Sequence, residues 1–516
     1  YVVTAGNQAQ TDLAEIGAAL LHDPRVTALG LHIEGIPDLA RFDALARQAA
    51  ELGKPVVVLR VGQSEQAQAA TQSHTASLAG SAAGARALLA RLGMAQVTDL
   101  DTLLSTLHLL HIAGPLRSTR IGSLSCSGGE ASLVADTGGP LGVVFPPLTN
   151  RQSTDLRAAL GPRVALANPL DYHTYVWGDL KGVTATFTAM LDPDVDLNLG
   201  MGMVVLDIPR TDRCDASAWA HVIDAAAAAQ QARGVPMAIV ATLPDCMPED
   251  WARQIVQRGL VPLAGLPAAL GAMRAAAAVG APGDAVWHGP EPIGDPTRID
   301  EAAAKAMLAP YGLRVPYSRI AKDNEDAILG APAHIGRFVV KALDIAHKTE
   351  AGAVALNLRN SYEVTEAASA MSAKKFLVEE MITGAVAELI IGVVRDPAHG
   401  FVLTLGAGGV LTELLCDTVH DILPVTPERV TEMLGGLRMT PVLSGYRGAP
   451  AAQTDAIVAA VMAVQRFVQD HQDRLLEAEI NPLICTPTCA VAVDALVILG
   501  AAVFDDATAP EGATPL

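Results

Sequence analysis

The sequence predicts an α/β protein of several domains, and three observations support this prediction. The chain has 516 residues, which is more than a single hydrophobic core usually organises. Half of the residues are apolar and 18% are charged, a composition typical of packed globular proteins rather than of disordered chains. Short apolar runs alternate with stretches of helical periodicity, which is the pattern of parallel sheets covered by helices.

Charge and composition exclude several classes of function. The net charge of −19 argues against a broad nucleic-acid-binding surface, and anionic ligands would need local positive groups. No apolar run is long enough to span a bilayer and no signal peptide is visible, so a cytoplasmic protein without membrane contact is expected. The six cysteines are scattered along the chain, as is usual for reduced thiols in the cytoplasm.

The first segment, residues 1–113, predicts a parallel sheet. Residues 26–33 and 55–59 are apolar runs, and residues 38–52 have helical periodicity between them. Glu34 directly follows the first run, at the carboxyl end of a predicted strand, which is where such sheets bind ligands. Glu34 is therefore either a functional carboxylate or a solvated loop residue.

A lone histidine lies in residues 73–81, Ser-His-Thr-Ala-Ser-Leu-Ala-Gly-Ser. An apolar stripe behind it predicts a helix, at Leu78, Ala82, Ala85, Leu89 and Leu92. Ser73 and Thr75 are suitable N-cap residues, so His74 is expected where N–H groups and the helix dipole favour an anion. Because imidazole is also a nucleophile, His74 is a candidate for transient phosphorylation. The alternative is a histidine that only decorates a helix start.

The second segment, residues 118–280, opens with an apolar run followed by a loop of small residues. That loop contains Ser127, Gly128 and Gly129, and a small-residue turn from strand into helix is a form of phosphate-binding site. It lacks a full Walker pattern, so it is a weak signal by itself. Residues 281–299 are rich in glycine and proline and predict a linker.

The third segment, residues 300–516, carries lysines and carboxylates at the ends of predicted strands. Lys341 ends a strand, Lys348 lies in a following loop that contains glycine, and another strand ends in Glu379 and Glu380. A strand lysine beside a glycine-containing loop is suited to triphosphate binding. Exposed surface charges are the alternative explanation for each of these residues.

Oxygen ligands follow near the carboxyl end of this segment. Glu479 and Asn481 lie on one predicted strand, and Asp494 lies on the next, about a dozen residues later. Two neighbouring strands with few oxygen donors suit Mg²⁺, which completes its coordination shell with water and phosphate. The pattern therefore predicts a magnesium site in the third segment.

Several of these motifs, taken in order, resemble one protein family. Lys54-Pro-Val-Val-Val-Leu-Arg-Val-Gly, the histidine segment 73–81 and the ordered set in the third segment are similar to the ADP-forming (NDP-forming) acyl-CoA synthetases, relatives of succinyl-CoA synthetase. The resemblance covers almost the whole chain. It implies two flavodoxin-like parallel-sheet domains, 1–113 and 118–280, followed after the linker by an ATP-grasp domain, 300–516.

The resemblance also implies roles for individual residues. His74 carries phosphate between the nucleotide and acyl sites, Glu34 holds the phosphorylated histidine, and Glu479 receives the histidine loop at the nucleotide. A second helix N-terminus faces the phosphate, formed by Ser127, Gly128 and Gly129. Lys341 contacts nucleotide phosphate and Glu379 lies at the adenine or ribose edge. Lys348 and Glu380 are further ATP-binding residues, and Mg²⁺ is held by Asn481 and Asp494.

The chain also departs from the family pattern. The family usually has a preceding CoA-binding domain, which we do not expect within this sequence, so its CoA site is expected to be incomplete here. Ala351-Gly352-Ala353 stands where relatives often have two adjacent glycines, which stiffens that loop slightly. The family assembles as dimers or larger oligomers, so a homodimer or larger is expected.

A cluster of aromatic residues follows the motif that begins at Asn168 and ends at Asp171. Tyr172, Tyr175 and Trp177 fall within six residues of a chain that is only 4% aromatic. The resembled family places the Asn168–Asp171 motif near the reacting centre. The aromatic rings either pack a loop against its domain or form a wall for a bulky, aryl or cationic acid.

The implied reaction is that of an acid–thiol ligase. A carboxylic acid, CoA and ATP give acyl-CoA, ADP and phosphate through an acyl phosphate and a phosphohistidine. One alternative is a regulatory protein of the same fold that senses nucleotide and acyl-CoA without turnover. A second alternative is another ATP-grasp ligase, which would join an acid to an amine.

Overall fold

The computed structural model describes residues 1–6, 8, 10–62, 81–192, 197–210, 212–290, 292–322, 336–343, 353–371, 373–409 and 412–501. The chain divides into two compact units, Tyr1–Ala79 with Leu89–Gly283 and Gly80–Leu88 with Asp284–Leu516. Among the described residues, no helix has both the length and the apolar character needed to cross a membrane. All six cysteines are free thiols.

The first unit begins with a parallel sheet of three strands in the order β1-β2-β3. The strands are β1 (Leu29–Ile33), β2 (Val56–Arg60) and β3 (Ala95–Val97). Helices α1 (Leu13–Leu21), α2 (Leu39–Glu51) and α4 (Leu100–Ala113) accompany these strands along the chain, whereas α3 (Ala82–Arg91) is divided between the two units. Asp38 caps α2 by accepting a hydrogen bond from Arg41 N at 3.0 Å, and such a cap fixes where a helix begins.

The helix behind His74 begins later than the sequence predicts. Ser81 is not helical, and α3 begins at Ala82, where Ser81 Oγ accepts a hydrogen bond from Gly84 N at 3.0 Å. Ser81 thus satisfies an N–H group of the first turn of α3. Residues 73–80 lie outside the described part of the chain, so the position of His74 at a helix start stays a prediction.

A second parallel sheet follows in the first unit, with five strands in the order β5-β4-β6-β7-β8. Its strands are β4 (Ile121–Ser125), β5 (Leu170–Asp171), β6 (Met201–Val205), β7 (Met237–Ala241) and β8 (Val261–Ala264). Its helices are α5 (Gly128–Gly138), α6 (Asn150–Leu160), α7 (Leu180–Met190), α8 (Trp219–Arg233), α9 (Glu249–Gln257) and α10 (Leu266–Ala278).

Alternate residues of the central strands are buried on opposite faces of this second sheet. Met201, Met203 and Val205 of β6 join one hydrophobic cluster, and Val204 joins another. Because successive side chains of a strand point to opposite faces, a strand covered on both sides reads as a continuous apolar run. The predicted parallel α/β architecture is confirmed in this unit.

The second unit is built from antiparallel sheets. A four-stranded sheet has the order β10-β13-β11-β12, and a larger sheet has the order β16-β15-β14-β17-β19-β9, with β18 paired to β17. The strands of the smaller sheet are β10 (Ser318–Ala321), β11 (Phe338–Ala342), β12 (Val354–Leu358) and β13 (Phe376–Glu380). The strands of the larger sheet are β9 (Ile293–Ile299), β14 (Ala387–Asp396), β15 (Gly400–Ala407), β16 (Thr418–Ile422), β17 (Leu475–Cys485), β18 (Ala490–Ala492) and β19 (Ala495–Ala501).

The helices of the second unit cover the larger sheet and flank the smaller one. They are α11 (Glu301–Leu308), α12 (Ser361–Ala370), α13 (Thr412–Leu415), α14 (Pro427–Gly435), α15 (Thr440–Leu443) and α16 (Thr454–Asp470). One hydrophobic cluster joins α16 to strands of the larger sheet through residues such as Phe467, Leu403 and Ile480. The confirmed fold class is thus parallel α/β domains followed by a module of antiparallel sheets.

Part of the segment predicted as a linker is a strand. β9 lies within residues 281–299 and pairs antiparallel with β19, with Val497 opposite Ile299. It is an edge strand, and its residues Gly294, Asp295 and Pro296 are exposed. An exposed edge strand needs no apolar alternation and tolerates proline, so its sequence resembles a linker.

Candidate functional site

The carboxyl edge of the first sheet carries the predicted acid Glu34. This residue directly follows β1 and is exposed. Val61 N donates a hydrogen bond to Ile33 O at 3.0 Å, so the chain leaves β2 beside Glu34. Residues 63–80, which include His74, lie outside the described residues.

A cleft of about 910 Å³ is lined by the whole of β1. Glu34 lines it together with residues of β1, α1 and α4, among them Leu31, Ile16 and Leu107. This places Glu34 at a surface that a ligand or a neighbouring segment can reach. The predicted contact between Glu34 and His74 stays a prediction.

The second predicted phosphate-binding element is the start of α5. Ser127 is its N-cap in an extended conformation and makes no side-chain capping hydrogen bond, and Gly128 and Gly129 form the first turn. A Cβ built on Gly128 would lie 3.3 Å from Asp171 Oδ2. The N-terminus of α5 therefore has a carboxylate neighbour, which would compete with a bound phosphate for the helix dipole.

The side chain of Asn168, predicted as a substrate contact, makes its hydrogen bonds to backbone groups of the same domain. Its Oδ1 accepts a hydrogen bond from Ser123 N at 3.0 Å, and its Nδ2 donates to Ile121 O at 2.9 Å and Pro146 O at 3.1 Å. These bonds connect the loop before β5 to β4. Because the amide is committed to three backbone groups, the structure gives Asn168 a structural role and the substrate assignment is corrected.

The aromatic cluster is divided between the core and a half-buried position. Tyr172 is 0% exposed, and its ring meets Phe187 edge-to-face with centroids 5.4 Å apart. Tyr172 is thus a core residue, and its ring is not an open pocket wall. Trp177 is half-buried and packs edge-to-face on Trp219 at 5.3 Å, while the side chain of Tyr175 lies outside the described structure.

In the second unit, Lys341 is held in a buried network of two lysines and two glutamates. Its Nζ lies 2.6 Å from Glu301 Oε1 and 3.1 Å from Glu379 Oε2. Lys305 Nζ lies 2.8 Å from Glu301 Oε1 and 2.5 Å from Glu379 Oε1. Both ammonium groups also donate to Val493 O, at 3.1 Å from Lys305 and 2.5 Å from Lys341.

The network keeps Lys341 charged although it is buried. Burial by itself would lower the pKa of Lys341, but the carboxylates of Glu301, Glu379 and Asp494 outweigh it and raise that pKa. A buried ammonium that remains protonated is a fixed positive charge available to a phosphate. Glu379 faces the two lysines, so the carboxylate predicted at the adenine or ribose edge is engaged in ion pairs instead.

The two other predicted ATP-binding residues are Glu380 and Lys348. Glu380 ends β13, and its Oε2 accepts a hydrogen bond from Tyr317 N at 3.3 Å. Lys348 lies in residues 344–352, outside the described part of the chain. The nucleotide roles of both residues stay predictions.

The predicted magnesium ligands lie close to this lysine network. Asn481 lies on β17, and Asp494 directly precedes β19, whose Ala495 pairs with Ile480. Burial and the charges of Glu477 and Asp494 raise the pKa of Glu479, and a hydrogen bond from Asn481 opposes this increase. Glu477, Asp494 and the amide of Asn481 thus all influence the carboxyl group of Glu479.

A glycine turn supports Asn481. Gly409 N donates a hydrogen bond to Asn481 Oδ1 at 2.9 Å, and a Cβ on Gly408 would come within 2.4 Å of Leu389 C, so only glycine fits there. β15 ends at Ala407, directly before this turn. Among the described residues, no group of three or more His, Cys, Asp or Glu side chains is arranged to hold a metal.

Glu301 and Lys305 are site residues that the sequence argument missed. Their signal is a Glu–Lys pair at i and i+4 in the first turns of a helix capped by Asp300. Such pairs are usually exposed, and their burial depends on strands more than 35 residues further along the chain. The sequence shows the pair but not its surroundings.

Comparisons with known proteins agree with the two-part architecture. A family model described as a succinyl-CoA ligase like flavodoxin domain matches residues 1–110, and an ATP-grasp domain model matches residues 294–499. The chain is 28% identical to a trans-feruloyl-CoA synthase from an unknown prokaryotic organism, covering 96% of the chain and 72% of that protein.

Two further similarities concern single modules. The chain is 33% identical to the beta subunit of ADP-forming acetate–CoA ligase II from Pyrococcus furiosus, covering 39% of the chain and 92% of that subunit. It is 29% identical to a solved chain of dinucleotide-forming acetyl-coenzyme A synthetase 1 from Ca. Korarchaeum cryptofilum, in complex with coenzyme A, Ca-AMPCP and HgCl+. That match covers 39% of the chain and 93% of the solved chain, with a TM-score of 0.36.

Proposed function

Because the chain belongs to the ADP-forming acyl-CoA synthetases, we propose a division of that reaction among its own residues. The overall reaction joins a carboxylic acid to coenzyme A and converts ATP to ADP and phosphate. The observation that carries the residue assignment is the buried, charged Lys341, which donates a hydrogen bond to Val493 O directly before Asp494. This arrangement offers a cation and oxygen donors to the same nucleotide.

In the proposed steps, the γ-phosphoryl group of ATP passes through His74 and the acid before it leaves as inorganic phosphate. ATP bound in the second unit transfers its γ-phosphoryl group to a ring nitrogen of His74, and ADP leaves. His74 then gives this group to the carboxylate of the acid, forming an acyl phosphate. The thiolate of coenzyme A attacks the acyl carbon, and inorganic phosphate is displaced.

Glu34 and Glu479 are the proposed partners of His74 at the two ends of its path. A carboxylate bonded to one imidazole nitrogen fixes the tautomer and makes the other nitrogen more nucleophilic. Glu34 is supported in this role by its exposed position beside the end of β2. Glu479 is supported by its position on β17, next to the proposed metal ligands.

Lys305 is proposed to balance charge when Lys341 engages phosphate. It contacts the same two glutamates as Lys341. If the Lys341 ammonium turns toward a nucleotide, Glu301 and Glu379 still have a cation within 2.8 Å. An uncompensated buried carboxylate is costly, so Lys305 lowers the cost of that movement.

Magnesium fits the oxygen donors on and beside β17. Burial and, after it, the charges of Glu477 and Asp494 raise the pKa of Glu479, and a divalent cation would relieve the repulsion between these charges. Asn481 and Asp494 would hold the ion, and Mg²⁺ would neutralise charge on the nucleotide phosphates.

The test measures how much nucleotide raises the melting temperature of wild type and Asp494→Asn. With ADP and Mg²⁺, the increase in melting temperature should be smaller in Asp494→Asn than in wild type. With ADP and EDTA, the increase should be the same in both proteins. Equal loss in both conditions would contradict the assignment.

The proposed substrate is an acid larger than acetate. Trp177 and Trp219 form a half-buried aromatic pair in the second sheet domain, and one relative is named for a feruloyl substrate. We expect a higher kcat/KM for aryl acids than for acetate, and a loss of this preference in Trp177→Ala. Preference for acetate, or an equal effect of Trp177→Ala on all acids, would contradict the proposal.

The activity itself is tested by its dependence on substrates. Purified protein with ATP and Mg²⁺ should release ADP continuously only when both an acid and coenzyme A are present. Nucleotide binding without turnover would indicate a sensor instead. Turnover that needs an acid and hydroxylamine but not coenzyme A would indicate a ligase acting on amines.

A further inference from the structure

The start of α3 is bonded to a strand end of the larger antiparallel sheet. Ser81, directly before α3, donates its backbone N–H to Asp396 Oδ2 at 2.8 Å, although 315 positions separate the two residues. Asp396 is the last residue of β14 and is buried, and its Oδ1 accepts a second hydrogen bond from Ala398 N at 2.9 Å. Hydrogen bonds to an ionised acceptor are among the stronger ones in proteins. Because both Ser81 and Asp396 belong to the second unit, this bond fixes the start of α3 within that unit.

The first turn of α3 also packs closely on the strands that it is bonded to. Gly84 is buried, and a Cβ built on it would lie 2.9 Å from His399 Nδ1 and 3.0 Å from Val402 Cγ2. Only glycine permits such a close approach. Burial lowers the pKa of His420 on β16, and the charge of Arg86 lowers it further, so the next turn of α3 also lies near this sheet.

The bonded strand end lies within reach of the proposed nucleotide site. Gly392 of β14 pairs with Glu479 of β17, and Asp396 lies four residues further along β14. Because a strand rises about 3.3 Å per residue, Asp396 is about 13 Å along the strand from the level of Glu479. Seven residues of chain lead from Ser81 back to His74, and seven extended residues span up to about 23–25 Å. This length of chain is enough for His74 to reach Glu479.

We infer that the start of α3 is an anchor, formed by Ser81, Gly84, Asp396 and His399, which keeps His74 within reach of the nucleotide. These are positioning residues, because none of them is proposed to touch phosphate. Fixing one end of a connecting segment raises the effective concentration of the group that it carries. The inference rests on the proposed phosphohistidine, and it assigns residues that support the nucleotide half of that reaction.

The test measures the exchange of label between ADP and ATP in the presence of Mg²⁺. In this exchange the γ-phosphoryl group passes from ATP to His74 and from His74 to labelled ADP, so neither acid nor coenzyme A is needed. Gly84→Ala and Asp396→Asn should each lower the exchange rate by about tenfold or more. In both variants the increase in melting temperature that ADP with Mg²⁺ gives should equal that of wild type, because the anchor does not contact nucleotide.

Gly84→Ala also separates positioning from the stability of the helix itself. Alanine favours a helix over glycine by about 1 kcal/mol, so a residue that served only to form α3 would tolerate this substitution. In the anchor, the added methyl group would push α3 away from His399 and Val402. Slower exchange in a variant with a better helix former is therefore specific to the packing of α3 on the sheet.

Two control variants should exchange label at the wild-type rate. Asp417→Asn changes another buried aspartate of the same unit that accepts two backbone hydrogen bonds, at 2.8 and 2.9 Å, away from α3. Ser81→Ala removes the hydroxyl that accepts from Gly84 N but keeps the N–H that binds Asp396. A wild-type rate in either Gly84→Ala or Asp396→Asn, or an equal loss in Asp417→Asn, would overturn the anchor. Absence of exchange in wild type would instead overturn the proposed function.

Discussion

At the scale of single residues, Asp396 is a buried carboxylate that accepts hydrogen bonds from the backbone and lies close to a histidine. Its Oδ2 accepts a hydrogen bond from Ser81 N at 2.8 Å, its Oδ1 accepts one from Ala398 N at 2.9 Å, and His399 Nδ1 lies 3.1 Å from Oδ1. Burial would raise the pKa of Asp396, but these partners lower it to about 2. Asp396 thus anchors Ser81, which directly follows residues 63–80 in the sequence.

This low pKa gives a prediction about stability and pH. The folded pKa of Asp396 is below the unfolded value of about 4, so its stabilisation is present above pH ~4 and is lost as pH falls toward 2. Asp396→Asn should lower the free energy of unfolding by about 1–2 kcal/mol at pH 7, after allowing for solvent screening. Denaturant titrations should show the difference narrowing between pH 4 and 3, and a constant difference would contradict the assignment.

The lysine–glutamate network gives a second prediction at this scale. Glu301→Gln leaves the buried Lys305 and Lys341 sharing the Glu379 carboxylate. Breaking a buried pair costs about 3–5 kcal/mol, so the melting temperature should fall and the KM for ATP should change. The matched control is Glu249→Gln, which breaks an exposed i,i+4 pair with Arg253.

The melting temperature of Glu249→Gln should equal that of wild type within experimental error, because exposed ion pairs contribute little to stability. If both substitutions leave stability and the KM for ATP unchanged, the network has no role in holding Lys341. Sequence alone could not separate the two pairs, because Glu301–Lys305 and Glu249–Arg253 have the same spacing. Burial by distant strands makes them different.

At the scale of elements, Asn168 connects the loop before β5 to β4. Asn168→Ala would leave Ser123 N, Ile121 O and Pro146 O without their partner. Each unsatisfied buried group costs about 1–3 kcal/mol, so we expect a loss of several degrees in melting temperature. A change in substrate KM with no change in melting temperature would instead restore Asn168 as a substrate contact.

The central strands can be predicted from the sequence, whereas edge strands and loops cannot. β2, β4 and β11 are buried on both faces, so their apolar runs identify them without tertiary information. β9 is exposed and contains proline, so only its pairing with β19 defines it as a strand. For the same reason the sequence leaves open whether Tyr172 packs within its domain or lines a pocket, and packing on Phe187 buries its ring.

At the scale of the whole molecule, we propose that acid activation and nucleotide chemistry belong to two different compact units. The first unit contains Glu34, and the second contains Lys341, Asn481 and Asp494. A carrier that receives phosphate in one place and delivers it in another is what this division requires. His74 is the residue proposed for that task, so its phosphorylation is the central claim.

The most direct test is a phosphoenzyme measurement with ATP labelled at the γ-phosphate. Wild-type protein should take up label that survives alkali, is released by acid, and is discharged when a substrate acid and coenzyme A are added together. The label should be absent from His74→Asn, while Tyr446→Phe should take it up as wild type does. Label with the same acid and alkali behaviour in His74→Asn would contradict the account.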